Sequence, residues 1–440
     1  MAKRATFRFR WRRLIAPAMG LRRPVIIATV GVLIFLFGVG ISFQSLIVPV
    51  LSGMSRWWSA IHARILPGEQ AELTTHLIGG LILFTGLGMA LYGGRLTAKR
   101  LVQALEPGAG QGFVDVWVRR QQLSKGPNIV AIGGGTGLST LLRGLKEHTS
   151  NITAIVTVTD DGGSSGRLVK EMGILPPGDL RNCLVALADA ERRMTDLFQH
   201  RFRDAAGSLS GHSIGNLLLA ALIDQARGDV DQALTVASQV LNIRGRVVPT
   251  TTRSVVLRAQ MEDGTEIIGE TTIVASGKKV RRIFLEPQRV EAHPAALAAI
   301  QNADLIIVGP GSVYTSIIPN LLVPGISQAL AETTAIKAYV CNVMTQRGES
   351  DHFTAAEHIV ALNANVDRKV VDHVLVNTGV PSPEALERYK ESEQELVIPD
   401  SDRIRAMGLV PVEGDYMSET DVVRHDPVRL ADRIIGLLYR

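Results

Sequence analysis

Cysteine is nearly absent from this chain of 440 residues, which carries only Cys183 and Cys341. Two thiols cannot build a disulfide framework or a zinc site, and both lie in apolar surroundings that suit buried, reduced side chains. Aromatic residues are sparse at 5%. No basic face is interleaved with them, which argues against a nucleic-acid partner. Acidic residues are almost missing from the first 100 positions, where Glu69 and Glu72 stand against 13 Lys and Arg. Of the 47 basic and 42 acidic residues in the chain, 34 and 40 therefore lie beyond residue 100. The net charge of +5 belongs to the N-terminal stretch, and the remainder is mildly acidic. Also missing are G-x-G-x-x-G and G-x-x-x-x-G-K-[ST]. Their absence argues against an ordinary dinucleotide enzyme and a P-loop NTPase, and no serine is read as a nucleophile elbow. Nothing marks out a poised Ser-His-Asp or Cys-His set, and no internal repeat stands out.

Charge is absent again between Arg23 and Arg56 and between Glu72 and Arg95. Each run is long enough for a helix to cross roughly 30 Å of hydrocarbon at about 1.5 Å per residue. Eight Lys and Arg precede the first run, two lie between the runs, and Arg95, Lys99 and Arg100 follow the second. By the positive-inside rule both ends face the cytoplasm. The expectation is a basic segment and two-helix transmembrane hairpin over 1–100 and a linker over 101–126. A cytoplasmic domain over 127–440 follows, in a multi-pass membrane protein.

Within 127–440, strand patterns alternate with helical ones. Strands are expected at Ile129–Ile132, Ile152–Val158, Asp304–Val308, Ala338–Met344 and Val371–Val376, and helices at Ile214–Arg227 and Val230–Leu241 among others. Such alternation predicts a Rossmann-like, doubly wound, mostly parallel sheet whose ligands bind beyond the strand carboxyl ends. The stretch of about 247–285 breaks the pattern. Its Glu262-Asp263-Gly264 turn signal reads as a small antiparallel β insertion.

Glycine-rich and polar motifs follow the strands. The first strand runs into Gly133-Gly134-Gly135-Thr136-Gly137 and then a helix, the arrangement by which backbone amides and a helix N-terminus hold phosphate. After the second strand come Asp160, Asp161, Gly162, Gly163, Ser164, Ser165 and Arg167. Adjacent carboxylates there can ligate Mg²⁺, bind a ribose or orient a nucleophile, and Arg167 can clamp phosphate. A solvated turn is the plain alternative. Asp179 reads as a helix cap, while Arg181 and Asn182 are even candidates for the pocket. His212, Ser213 and Asn216 open another apolar helix, and His212 gains weight only from those neighbours. Gly309, Gly311, Ser312, Thr315 and Ser316 repeat the strand–glycine–helix logic. Two such loops on separate strands suit a pyrophosphate. Gln346-Arg347-Gly348-Glu349 is either a further wall or a solvated loop.

These five motifs, in this order from Asn128 onward, resemble the YvcK branch of the CofD-like family, the gluconeogenesis factors. The resemblance implies a Rossmann-like domain that binds a UDP-sugar such as UDP-N-acetylglucosamine. It also implies support of cell shape and envelope synthesis according to carbon status, through envelope-synthesis proteins and as a homo-oligomer. The CofD branch implies the alternative, an Mg²⁺-dependent 2-phospho-L-lactate transferase. In that reading the Gly133 loop holds phosphate, and Asp160 and Asp161 are candidate catalytic and metal-binding residues.

Overall fold

The computed structural model describes residues 48–49, 52–57, 60, 81, 85, 121–189, 192–202, 207–419 and 422–439. The chain divides into two compact units, 1–119 and 120–440. The second unit is built on a seven-stranded sheet. Its strands are β1 (Ile129–Gly133), β2 (Ile152–Val156), β3 (Arg246–Pro249), β7 (Leu305–Val308), β8 (Ile336–Val340), β9 (His373–Asn377) and β10 (Val410–Gly414). Their order is β10-β9-β8-β7-β1-β2-β3, and every pairing is parallel. Continuous apolar runs such as Ile129-Val130-Ala131-Ile132 are buried along their whole length, as strands covered on both faces require. Three strands, β4 (Val256–Met261), β5 (Glu266–Ile268) and β6 (Val280–Glu286), form the separate antiparallel sheet, and β11 (Met417–Glu419) pairs with β12 (Val423–His425). The insertion therefore starts later than expected, because Val247–Pro249 lengthens the main sheet through β2.

Eight helices matter for the site: α1 (Gly135–Leu145), α2 (Gly163–Met172), α3 (Pro177–Leu187), α4 (Ile214–Gln225), α5 (Val230–Leu241), α6 (Glu270–Ala275), α7 (Pro383–Glu391) and α8 (Pro427–Ile435). In α1, Leu138, Leu141, Leu142 and Leu145 recur at helical spacing and are fully buried. That helix packs between α3 and α8.

The two transmembrane helices expected within 1–100 are corrected. Most of that stretch lies outside the described residues, and among the described residues no helix is long and apolar enough to cross a membrane. The longest described helices, α4 and α5, have 12 residues. That is about 18 Å at about 1.5 Å per residue, against roughly 30 Å of hydrocarbon. An uncharged run in a sequence speaks to the solvation requirement of a span, not to its requirement for continuous helix. The hairpin is therefore removed from the fold class, and the multi-pass membrane location falls with it.

The α1–α8 contact depends on one glycine. A Cβ on Gly144 would collide with the Pro427 carbonyl, whereas one on Gly436, in helical conformation, would meet nothing within 4 Å. Gly144→Ala is expected to lower the melting temperature by about 2–6 °C through overpacking. Gly436→Ala should leave it unchanged or slightly raised, since alanine restricts the unfolded chain. Thermal melts of the two variants check the contrast.

Candidate functional site

The sheet changes direction at β1. From β1 the chain builds outward through β2 and β3 on one side, then returns at β7 to build β8, β9 and β10 on the other. Loops leaving the carboxyl ends of β1 and β7 must diverge there, which opens a crevice. Both glycine loops stand at this crevice.

Gly134 is extended and Gly135 has φ +64, so the chain turns sharply into α1 without a capping side chain. A Cβ on Gly134 would sit 2.6 Å from both Asp179 Oδ2 and Thr157 Cγ2. One on Gly137 would sit 2.5 Å from the Pro310 carbonyl oxygen. Glycine is thus required for the two loops to touch. Opposite, Gly309 has φ +89, and Gly311 and Ser312 lead into a π-helical turn over Val313–Ile317, not the α-helix start expected. Asn320, fully buried, donates to the carbonyls of Gly133 (3.2 Å) and Ser316 (2.7 Å) and accepts from the Thr250 hydroxyl. Through that one side chain the ends of β1 and β3 and the π-turn are held together.

These elements enclose a cavity of about 550 Å³ whose walls include Gly134–Gly137, Thr140, Asp160, Gly311, Ser312 and Ser316. Gly133 ends β1 beneath it, and Gly309 plays the same part for β7. Two of the three expected hydroxyls are already engaged. Ser312 Oγ donates to Gln346 Oε1 (2.5 Å), and Thr315 Oγ1 donates to Glu349 Oε1 (2.7 Å). The Gln346–Glu349 segment is therefore a support for the second loop.

The carboxylate pair is split. Asp160 lines the cavity and accepts from the Gly162 amide (3.0 Å). Asp161 accepts from Thr271 N (2.9 Å) and Thr271 Oγ1 (2.6 Å), anchoring α6. Of the pair, Asp160 lines the cavity and Asp161 does not, and among the described residues no group of three or more His, Cys, Asp or Glu is placed to hold a metal ion. Two other acids line the cavity instead, Asp179 and Glu270. Burial pushes Asp179 up to about 6, Asp160 adds to the rise, and an amide hydrogen bond from Gly135 opposes it. Burial, reinforced by Asp160, Asp179, Glu349 and Asp161, pushes Glu270 up to about 9. Glu349, behind the second loop, is raised by burial to about 7.

The remaining expected residues form a buried network beside the cavity. Ser164 Oγ bonds His212 Nδ1 (2.9 Å) and accepts from Asn216 Nδ2 (3.1 Å). Arg181 donates to Ser213 Oγ and to Asn182 Oδ1 (2.8 Å). Ser165 Oγ accepts from the Gly178 amide (3.1 Å), and Arg167 donates to the Ser210 carbonyl (2.6 Å). Gly162 and Gly163 start α2, which carries Ser164 and Ser165. These side chains join α2, α3 and α4, while Arg181 Nε and Asn216 Oδ1 are buried without a partner.

Three wall residues carry no local signal in the sequence. Tyr389 on α7 is pinned through its hydroxyl, which accepts from Val423 N (2.9 Å) and donates to Val423 O (3.3 Å). Arg424, the next residue on β12, is exposed on the same wall. His425 donates from Nε2 to the Cys341 carbonyl (3.1 Å), and burial lowers it to about 4, so it is neutral. Among the described residues the cavity therefore offers loop amides, the Arg424 guanidinium, a fixed aromatic ring and the carboxyl groups of Asp160, Asp179 and Glu270.

Residues 129–417 match the family described as 2-phospho-L-lactate transferase CofD. The chain is 49% identical over 313 residues to the gluconeogenesis factor of Bacillus subtilis, across 71% of this chain and 98% of the relative. It is 48% identical over 313 residues to the gluconeogenesis factor of Halalkalibacterium halodurans, across 71% and 96%. A crystal structure of a Bacillus halodurans protein, 48% identical, superposes with a TM-score of 0.69 over 71% of this chain and all of that one.

The position of Glu270 has a consequence for stability. Its folded value of about 9 lies above the ordinary 4.5. The folded state therefore holds a proton that the unfolded chain releases, so stability falls as pH rises between those values. Glu270→Gln removes the ionisation. The variant should melt about 2–4 °C above the parent at pH 8, with the gap closing as pH falls toward about 4.5. Melting curves across that range check it; a gap that is constant or grows at low pH contradicts the assignment.

Proposed function

The chain belongs to the CofD family, among its gluconeogenesis factors, and from that membership we propose that it binds a nucleotide diphosphate sugar of the UDP-N-acetylglucosamine type. In this reading it reports carbon status to cell-shape and envelope synthesis through occupancy of the site. The observation that carries the proposal is the convergence of two glycine loops at the direction change of the sheet. Gly134–Gly137 and Gly311–Ser312 line one cavity, where the Thr136, Gly137 and Ser312 amides are the donors left for a diphosphate with oxygens on two sides. A volume of about 550 Å³ suits a ligand of that size. Arg424 supplies a charge-assisted partner for phosphate, and the immobilised ring of Tyr389 offers an apolar surface for base or sugar. Among the described residues that line the wall, no side chain is poised as a nucleophile with its own base, which favours binding over turnover.

One observation favours a second reading. Asp160, Asp179 and Glu270 share the wall that faces the loops, and elevated carboxyl groups beside a phosphate site are what proton transfer uses. A transferase acting on a diphosphate-linked substrate would place its acid–base work there.

Calorimetric titration of the intact chain with UDP-N-acetylglucosamine, with and without Mg²⁺ and followed by product analysis, separates the two. Saturable binding without product supports the regulatory reading, and Arg424→Ala should weaken it about tenfold, the worth of one charged hydrogen bond. Product that disappears in Asp160→Asn supports the transferase. Absence of any nucleotide binding overturns both.

A further inference from the structure

The end of β8 carries a side chain that the two glycine loops alone do not account for. The strand finishes at Val340, and Cys341 still donates its amide to the Leu375 carbonyl of β9. Asn342 follows, and its side chain reaches back to the neighbouring strand exit. Its Oδ1 accepts from the Gly311 amide (3.2 Å) and its Nδ2 donates to the Gly311 carbonyl (3.0 Å). The carboxamide thus binds both polar groups of one residue, as a partner strand would. Gly311 has no side chain of its own to hold it, and a Cβ there would crowd Ser316 Cβ at 3.2 Å.

We propose that Asn342 is a positioning residue for the ligand, clamping Gly311 so that the Ser312 amide is aimed into the cavity it shares with the first glycine loop. The inference rests on the diphosphate reading of that cavity. A second side chain of the same segment works in the same direction, since Gln346 holds the Ser312 hydroxyl. Cys341, immediately before, is fixed through its carbonyl by His425. The loop is therefore gripped from a rigid strand end, and ligand binding need not order it.

An amide is required because one atom must accept while the other donates. An ionised carboxylate accepts only, and it would set negative charge against the Gly311 carbonyl; once protonated, it can do both. Asn342→Asp should therefore be a variant whose defect heals at low pH, whereas a merely structural lesion would not. Titration of the intact chain with UDP-N-acetylglucosamine is compared with the parent at each pH. Near pH 8 Asn342→Asp should bind about tenfold more weakly, and the ratio should approach unity near about pH 5. Asn342→Ala should be weakened by a factor that does not change with pH. Hydrogen exchange of the 309–316 backbone, without ligand, is read in parallel. Protection should fall in Asn342→Ala and return in Asn342→Asp as pH drops. If the parent binds and Asn342→Asp matches it at pH 8, or its defect ignores pH, the proposal is overturned. If the parent binds no nucleotide while exchange follows the pattern, the clamp stands and the diphosphate reading fails. Unchanged exchange in Asn342→Ala overturns the clamp regardless of binding.

Discussion

The contact between Gly137 and the carbonyl of Pro310 is the constraint on which the rest of the site depends. It brings the first turn of α1 against the loop leaving β7, at the place where the parallel sheet reverses its direction of growth. Any side chain at residue 137 would separate the two loops, and the cavity between them would lose one of its walls. Everything beneath serves that approach. Asn320 binds carbonyls from both sides of the junction, and the packing of α1 between α3 and α8 fixes the axis along which its N-terminus points. Buried amide side chains are costly unless satisfied, and Asn320 is satisfied at both ends.

The electrostatics of the cavity pull in two directions. Backbone amides and Arg424 favour an anion, while Asp160, Asp179 and Glu270 stand close by. Coulomb repulsion among three ionised carboxylates in a partly dry wall would be severe. Protons relieve it, which is why burial and mutual repulsion raise Asp179 and Glu270 together. Neutral carboxyl groups can donate hydrogen bonds to phosphoryl oxygens, so acids of this kind are compatible with an anionic ligand.

Much of this was legible in the sequence because it is local. A strand entering Gly133–Gly137 and another entering Gly309–Ser312 announce themselves by composition, and the alternation of strand-like with helical segments points to the parallel sheet. The order of the strands, and so the meeting of the two loops, is a tertiary fact, but the motifs were identifiable without it. Other features had no local trace. Glu270 arrives from the β insertion, Tyr389 and Arg424 from far downstream, and Asn320 looks like any asparagine in an apolar helix. The bonds that join Ser164, His212, Asn216 and Arg181 left no local trace either, because polar residues in an ordered motif look alike whether they bind a ligand or each other. The transmembrane expectation failed for a related reason, since an uncharged run reports on solvation and not on continuous helix.

The most direct test is a crystal structure of the protein soaked or grown with UDP. Both phosphorus atoms are expected between the two loops, within hydrogen-bonding reach of the Thr136 and Gly137 amides on one side and the Ser312 amide on the other. A diphosphate bound by one loop alone, or seated elsewhere on the sheet such as the hollow beside Arg246 and Asp231, would contradict it.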